Sequence, residues 1–274
     1  MNFLRTKLHI GVPEPFQIIH LSDIHLTYAD MRDGMRKVEL AKDRQTAFPD
    51  AEEILAQADQ VAKETGAPIL CTGDFIDFVS LANLEHAKVF IDDHDFYMAA
   101  GNHEFSLYVG EAKEDAAYRN QSLELVQSAF PNNIRCASRI IGGVNFVALD
   151  NGYYLFEPEQ LTFLQREAEK GYPMILLMHT PLFSKELYDI TMSDSPCAYL
   201  TDVPEELMCN YPPDRYEQQL ADSITHQTVE FIRTQPLIKA VIAGHIHKNY
   251  EGIVFDRIHQ YTTDCTTVRL FEIT

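Results

Sequence analysis

The chain has 274 residues, and 46% of them are hydrophobic, including 16 Phe and 13 Tyr. This supplies enough apolar side chains for one large α/β domain or two small ones, and it argues against a disordered chain. The formal net charge is −19, from 22 basic and 41 acidic side chains. That balance is poorly suited to neutralising the phosphates of a nucleic acid or to approaching an anionic membrane.

Helix-like stretches recur along the chain. The first has Ile54, Leu55, Ala58 and Val61 on one face and ends near Gly66, a pattern typical of an amphipathic helix with a glycine stop. By similar patterns we predict five helices, at residues 49–64, 81–91, 113–130, 157–170 and 223–234.

Five short apolar runs alternate with these stretches, at residues 16–21, 67–71, 96–100, 174–178 and 240–243. Short apolar runs bounded by turn residues are typical of buried strands. If the five strands lie side by side in parallel, their carboxyl ends share one edge of a sheet, where α/β proteins place ligands.

Each run leads into a side chain that can bind a metal. In chain order these side chains are Asp23, His25, Asp74, Asn102, His179, His245 and His247. Their oxygen and nitrogen atoms are the donors that divalent transition metals prefer. The pattern therefore predicts a metal centre.

Residues 139–150 and three runs after residue 250 have strand patterns. The chain thus mixes βα units with antiparallel strands, and two packed sheets flanked by helices are the simplest arrangement.

Residues 27–48 and 183–222 do not fit the alternation of strands and helices. Long irregular segments inside compact domains are usually functional. Both segments leave from the edge that carries the predicted ligands, so we interpret them as walls or lids of a pocket. We predict a single domain over residues 1–274, with an irregular, cap-like insert at about 183–222.

Five cysteines are scattered along the chain without a Cys-x-x-Cys pair, which favours free thiols in a reducing compartment. The first residues lack the long apolar stretch of a signal peptide. No apolar run approaches the ~18 residues that span a bilayer. We therefore expect a soluble, cytoplasmic protein.

The ordered motifs resemble those of the calcineurin-like metallophosphoesterase superfamily, and of its bacterial phosphodiesterase-type members in particular. They are Ser-Asp-Ile-His at 22–25, Gly-Asp at 73–74, Gly-Asn-His-Glu at 101–104, His-Thr at 179–180 and Gly-His-Ile-His at 244–247. The resemblance implies two facing mixed β-sheets flanked by helices, which is a four-layer α-β-β-α sandwich. It also implies two metal ions a few ångströms apart.

By motif position, the resemblance implies that one metal takes Asp23, His25 and His247. The other metal takes Asn102, His179 and His245, and Asp74 bridges the two. A mixed shell of His and carboxylate donors suggests Mn, Fe or Zn rather than Ca. The resemblance further implies that a metal-bridging hydroxide attacks phosphorus while His103 protonates the leaving oxygen as general acid.

A single histidine at a strand end is more often a hydrogen-bonded structural residue than a ligand, and only the joint pattern reverses that expectation. Asp77 and Glu104 extend their motifs, and we expect them to cap backbone or to orient a ligand. The structural interpretation is kept for the six other histidines: His9, His20, His86, His94, His226 and His259.

The predicted reaction is hydrolysis of a small phosphodiester or phosphomonoester. The Ser/Thr phosphatase branch of the resembled family carries an Arg-Gly after Gly-Asp-x-x-Asp, whereas Phe78-Val79 follows Asp77 here. A nuclease, or a hydrolase of nucleotide-linked metabolites, is the alternative on the same centre, and a non-catalytic scaffold is a third. The predicted partner is a small phosphorylated substrate rather than a membrane or a nucleic acid, and the pattern favours no oligomeric state.

Overall fold

A computed structural model describes residues 2–274 of the chain. Its strands form one five-stranded and one six-stranded sheet. The strands are β1 (Asn2–Leu8), β2 (Phe16–Leu21), β3 (Ile69–Cys71), β4 (Phe96–Met98), β5 (Cys136–Ile141), β6 (Val144–Leu149), β7 (Met174–Met178), β8 (Ile238–Ala243), β9 (Tyr250–Val254), β10 (Ile258–Thr262) and β11 (Thr267–Ile273).

Both sheets are mixed. The first has the order β1-β11-β2-β3-β4, in which β2, β3 and β4 run parallel and β11 runs antiparallel to β2. The second has the order β5-β6-β7-β8-β10-β9, with antiparallel strands at its two edges. Three of the five predicted apolar runs lie in the first sheet and two in the second. The expectation of one shared edge is therefore wrong, because the strand ends come from two sheets that face each other.

Along the chain, the helices of the described residues alternate with these strands. They are α1 (Met35–Gln45), α2 (Ala51–Thr65), α3 (Leu81–Asp92), α4 (Ala116–Arg119), α5 (Leu123–Gln127), α6 (Pro158–Glu169), α7 (Lys185–Met192), α8 (Pro213–Gln219) and α9 (Ser223–Thr234). Four of the five predicted helices are confirmed within two residues at each end, as α2, α3, α6 and α9.

The predicted single helix at 113–130 is wrong, because the chain forms α4 and α5 with a break at 120–122. Arg119, the last residue of α4, is buried and pairs with Asp150 at 3.5 Å and with Glu157. This long-range pairing fixes the chain at the break, and the hydrophobic periodicity of the surrounding sequence does not reveal it.

Three apolar layers confirm the predicted sandwich. Ile18 and Leu70 of the first sheet pack against Phe146 and Ile175 of the second. Helices α2 and α3 cover the outer face of the first sheet. Helices α6 and α9 cover the outer face of the second. The order of layers is therefore helix, sheet, sheet, helix, and burial of these faces supplies the main stabilisation.

The two segments that break the alternation are more regular than expected. Residues 27–48 contain α1, whose only buried residue is Ala41. Residues 183–222 contain α7 and α8, and they enclose an apolar cluster that includes Leu187, Leu200 and Tyr211. Strand β1 was also missed. It alternates charged and buried residues at the edge of its sheet, and its burial pattern is too weak to read from sequence.

Among residues 2–274, none of the helices combines the length and the apolar character needed to cross a bilayer. All five cysteines are free.

Candidate metal centre

The loops that follow five strands bring all the predicted site residues into one cluster at the carboxyl ends of strands from both sheets. Asp23 and His25 follow β2, Asp74 follows β3, and Asn102 and His103 follow β4. The remaining three lie after β7 and β8 of the second sheet: His179, His245 and His247. Asp23, His25, Asp74 and His179 are each at most 2% exposed.

The first half-site consists of Asp23, His25 and His247. The Nε2 atoms of His25 and His247 lie 3.2 Å apart. Oδ1 of Asp23 lies 3.2 Å from Nε2 of His247 and 3.9 Å from Nε2 of His25. One donor atom from each residue therefore falls within 4.8 Å of the other two.

The second half-site consists of Asn102, His179 and His245. Nε2 of His179 lies 3.0 Å from Nδ1 of His245 and 3.1 Å from Oδ1 of Asn102. The amide nitrogen of Asn102 donates to Oε1 of Glu114 at 3.1 Å, which turns the amide oxygen towards His179.

Asp74 lies between the two half-sites. Its Oδ2 is 3.1 Å from Nε2 of His179 and 3.8 Å from Nε2 of His25. It forms one potential metal-binding group with His179 and His245 and another with His25 and His103. A carboxylate in this place can present its oxygens to both half-sites.

The tautomers of two histidines fit this donor set. Nδ1 of His25 lies 2.9 Å from Oδ1 of Asp77, and Nδ1 of His179 lies 2.7 Å from the carbonyl oxygen of Thr72. Since both partners accept, Nδ1 carries the proton in each ring and Nε2 is left as a donor to a metal. Two nitrogens that share one ion at about 2.1 Å lie about 3 Å apart, as the facing nitrogens do here.

The backbone is strained at most of these positions. Five of the seven predicted ligands have φ in the left-handed region, which non-glycine residues rarely adopt at a cost of about 1–3 kcal/mol each. They are Asp23 (56°), His25 (53°), Asp74 (53°), His245 (69°) and His247 (47°). Such strain persists only where the surrounding structure enforces it, and it indicates a functional cluster.

Glycines in the motifs allow the strand ends to approach one another. A Cβ at Gly101 would collide with the carboxylate of Asp74 and with the ring of His179. A Cβ at Gly244 would collide with Ser22 and Asp23. The motif glycines are therefore needed because the two sheets meet here without room for a side chain.

Asp77 and Glu104 take the supporting positions that were expected of them. Asp77 accepts from Nδ1 of His25. Glu104 is buried and accepts from the backbone nitrogens of Asp74 (2.8 Å), Phe75 (2.7 Å) and Gly101 (2.6 Å). Glu104 thus ties the loop after β3 to the loop after β4. Burial and the neighbouring Asp74 charge raise the pKa of Glu104 to about 7.

His103 lies beside the half-sites with its ring partly exposed. Its backbone nitrogen donates to Oδ1 of Asp74 at 2.8 Å. Its Nδ1 lies 2.7 Å from the carbonyl oxygen of Asp77 and 3.2 Å from the Asp77 carboxylate. Burial opposes the charged ring, but Asp74 and Asp77 outweigh it and raise the pKa of His103 to about 10. With only the protein's own charges acting on it, the His103 ring is protonated at neutral pH and can donate a proton.

The carboxylates also hold protons on two predicted ligands. Burial opposes the charge of His247, but Asp23 outweighs it and raises the pKa of His247 to about 11. Burial is outweighed in the same way by Asp74 at His179, whose pKa rises to about 9. Burial and the charge of His179 lower the pKa of His245 to about 3. A metal ion bound at these nitrogens must displace protons.

A cavity of about 230 Å³ opens beside the centre. Residues 183–222 contribute Thr191, Asp194, Ser195 and Tyr199 to its wall, and the loop after β8 contributes His245 to Lys248. Residues of the insert therefore line one side of this cavity.

Sequence reasoning missed at least four residues that contact the centre, one of which is Glu114, the acceptor from Asn102. Tyr154 places its hydroxyl 2.9 Å from Nε2 of His245. Phe48 stacks on His25, and Arg44 pairs with Asp77. The only signal for the last two was their position in an irregular segment beside the first motif. The six histidines given a structural interpretation lie outside the potential metal-binding groups of the described residues.

The profile of the calcineurin-like phosphoesterase family matches residues 16–249. Among solved structures, a dimetal phosphatase from Danio rerio is similar over 92% of this chain and 89% of its own, with 12% identity and a TM-score of 0.51. A 5'-nucleotidase from Candida albicans is 14% identical over 92% of this chain and 47% of its own, with a TM-score of 0.44. Among curated proteins, no sequence matches the chain.

Proposed function

Because the chain belongs to the calcineurin-like phosphoesterase family, whose members hydrolyse phosphoesters with the help of metals, we propose that it hydrolyses a small phosphodiester or phosphomonoester at this centre. The observation that carries the proposal is the convergence of two half-sites on Asp74, whose Oδ2 lies 3.1 Å from His179 and 3.8 Å from His25.

We assign the ligands by half-site. The first half-site would hold one Mn, Fe or Zn ion through Asp23, His25 and His247. The second would hold another through Asn102, His179 and His245, with Asp74 shared. When bound, such a pair polarises the phosphoryl group and lowers the pKa of a water that becomes the nucleophile.

The protein keeps the charge of the ligand set low. Asn102 gives the second half-site an oxygen donor without a negative charge, so Asp23 and Asp74 are the only carboxylates among the seven ligands. Two divalent ions therefore keep a net positive charge, which favours binding of an anionic phosphoester.

His103 would supply the proton to the leaving oxygen. Its Nδ1 is held by Asp77, so Nε2 is the nitrogen free to face a substrate. A positioned general acid contributes about 10²- to 10⁴-fold in rate. The contact with the Asp77 carboxylate, which is not among the assigned ligands, favours the protonated ring that this role requires.

Charge and the residue at position 78 bear on the substrate class. The cavity of about 230 Å³ beside His245 and His247 could receive part of a substrate bound at the centre. Phe78, at the place where the Ser/Thr phosphatase branch carries arginine, is fully buried and offers no grip on a phosphate. The net charge of −19 argues against a nuclease.

Two substitutions test the assignment. His103→Ala should keep both metals and lose about 10²- to 10⁴-fold in kcat, because the acid is removed and the ligands are kept. Asp74→Asn should lose metal as well as activity. Metal content of the purified proteins and rates on a bis-aryl and a mono-aryl phosphate with added Mn measure both effects.

The matched control is His86→Ala, which removes an exposed histidine that pairs with Glu52 and belongs to none of the potential metal-binding groups of the described residues; it should leave metals and rates unchanged. Equal metal loss in the His103 and Asp74 variants would refute their separate roles. A wild-type protein that binds two metals and hydrolyses neither ester would favour the scaffold alternative.

A further inference from the structure

Arg44, on the helix α1 of the segment 27–48, is attached to the first half-site by two routes. Its Nε donates to Oδ2 of Asp77 at 2.7 Å, and its Nη2 donates to Oδ1 of Asp77 at 2.8 Å. This is the two-pronged geometry that makes arginine–carboxylate pairs strong and directional. Asp77 is fully buried, whereas the Arg44 side chain is 26% exposed.

The first route passes through the Asp77 carboxylate to a predicted ligand. Oδ1 of Asp77, which accepts from Arg44, also accepts from Nδ1 of His25 at 2.9 Å. A carboxylate gripped at both oxygens cannot rotate freely, so Arg44 fixes the plane in which His25 is held. The proton of His25 then stays on Nδ1, and Nε2 stays aimed at His247.

The second route passes through Phe48. The Phe48 ring stacks on the ring of His25, with centroids 3.9 Å apart and planes 11° apart. The guanidinium carbon of Arg44 lies 5.2 Å from the centroid of the same ring. His25 is 1% exposed, and Phe48 covers one face of its ring. Arg44 thus contacts both groups that hold His25.

Packing alone does not explain why α1 lies here. Ala41 is its only buried residue, so little apolar surface ties the helix to the sandwich. Another arginine of α1, Arg36, pairs with Glu111 on the surface and does not reach the centre. Arg36 is therefore a matched control on the same helix.

We propose that Arg44 is a positioning residue for the first half-site, which acts on His25 through Asp77 and Phe48. The proposal rests on the proposed function only in that the centre binds metal ions. It implies that the two half-sites depend unequally on α1, because the contacts of Arg44 lead to His25 and not to His245.

Single-site backgrounds separate the two half-sites. In a His245→Ala background the first half-site keeps all its donors, and in a His247→Ala background the second does. We expect Arg44→Ala to weaken Zn²⁺ binding about 10- to 100-fold in the first background, the usual effect of losing a residue that orients a ligand. In the second background it should have less than about a 3-fold effect. Calorimetry with chelator-buffered Zn²⁺ on the full-length, metal-stripped chain measures both.

Two further variants separate geometry from charge. Arg44→Lys keeps the charge but not the two-pronged contact, and it should recover only part of the lost affinity. Removing a positive charge near a cation should by itself strengthen binding, so tighter binding in Arg44→Gln would overturn the proposal. Arg36→Ala should change neither background. Equal weakening of both backgrounds by Arg44→Ala would also overturn it, since that is the signature of a purely structural role.

A substitution at Phe48 tests the second route separately. Phe48→Ala leaves Arg44 in place and removes only the second route, so it should weaken the first half-site less than Arg44→Ala does. An unchanged affinity in Phe48→Ala would reduce the proposal to the Asp77 route alone. Because the readout is metal binding, a chain that binds two ions and hydrolyses no phosphoester would refute the proposed function and leave this inference standing.

Discussion

The segments 27–48 and 183–222 both interrupt the regular alternation of strands and helices, yet they reach the centre by different means. The first has one buried residue on α1 and is held by polar and aromatic contacts to the first half-site. The second encloses its own apolar cluster. It contacts the second half-site directly through Tyr199, whose ring lies edge-on to His245 with centroids 5.7 Å apart. A second, indirect link runs through Gln218, which donates to the Glu114 carboxylate that holds Asn102.

This difference separates two ways of building around an active centre. A segment with its own core can hold its shape independently of the centre, whereas one without a core is shaped by the centre itself. We therefore expect local stability and metal binding to be coupled in the segment 27–48 and largely uncoupled in the segment 183–222.

The largest expected effect is the pH dependence of metal binding. It can be compared between the first half-site, which the segment 27–48 contacts, and the second, which the segment 183–222 contacts. Metal binding must displace a proton from His247 (pKa about 11) in the first half-site and from His179 (pKa about 9) in the second. Both pKa values are raised, so both rings are protonated below pH 9. From pH 6 to 9, the affinity of each half-site should rise about tenfold per pH unit.

Above about pH 9 the two half-sites should diverge. The first keeps gaining affinity up to about pH 11, while the second levels off once His179 is neutral. Chelator-buffered Zn²⁺ titrations of the two single-site backgrounds measure the slopes. Identical plateaus in the two backgrounds would contradict the unequal charge environments of the half-sites.

A smaller effect is expected from the core of the insert. Leu187 of α7 is fully buried in the cluster of residues 183–222, so Leu187→Ala should destabilise that segment by about 2–5 kcal/mol through lost burial and a cavity. Hydrogen exchange should rise in 183–222 and stay unchanged in the sheets. Ile190→Ala on the same helix is the control, because Ile190 is exposed. Equal protection loss in the sheets would show that the insert is not an independent unit.

The smallest effect concerns the link from the insert to Asn102. Gln218→Ala removes a donor to Glu114, and a hydrogen bond of this kind is worth about 0.5–1.5 kcal/mol. Zn²⁺ binding to the second half-site should weaken by about 2- to 10-fold, with the first half-site unaffected. Gln227→Ala on α9, whose side-chain amide contacts only Ser223, is the control. If the Gln218 variant binds Zn²⁺ like wild type, the link through Glu114 does not couple the insert to the second half-site.

Much of the site could be predicted from the sequence, because the predicted ligands follow apolar strands and three of them, Asp74, Asn102 and His245, directly follow a motif glycine. These patterns are local, and the structure brings all eight predicted residues together. The roles of seven as metal ligands and of His103 as general acid belong to the proposed function. The division of the five strands between two sheets was not readable, since the apolar run of β7 looks like that of β2 whichever sheet it joins.

The missed elements share a physical cause. Helix α1 buries only Ala41, so its apolar pattern is weak and the position of Arg44 depends on tertiary contacts. The break between α4 and α5 depends on the buried pairing of Arg119 with Asp150. Long-range electrostatic anchors of this sort leave no mark in a window of neighbouring residues.

The left-handed backbone implies a trade-off between the stability of the fold and metal binding at five positions: Asp23, His25, Asp74, His245 and His247. Glycine at any of these places would relax the main chain and delete a donor atom. Selection for thermal stability alone should therefore favour variants that have lost metal ligands and activity. Stabilising substitutions that keep the activity will have to lie elsewhere in the sandwich.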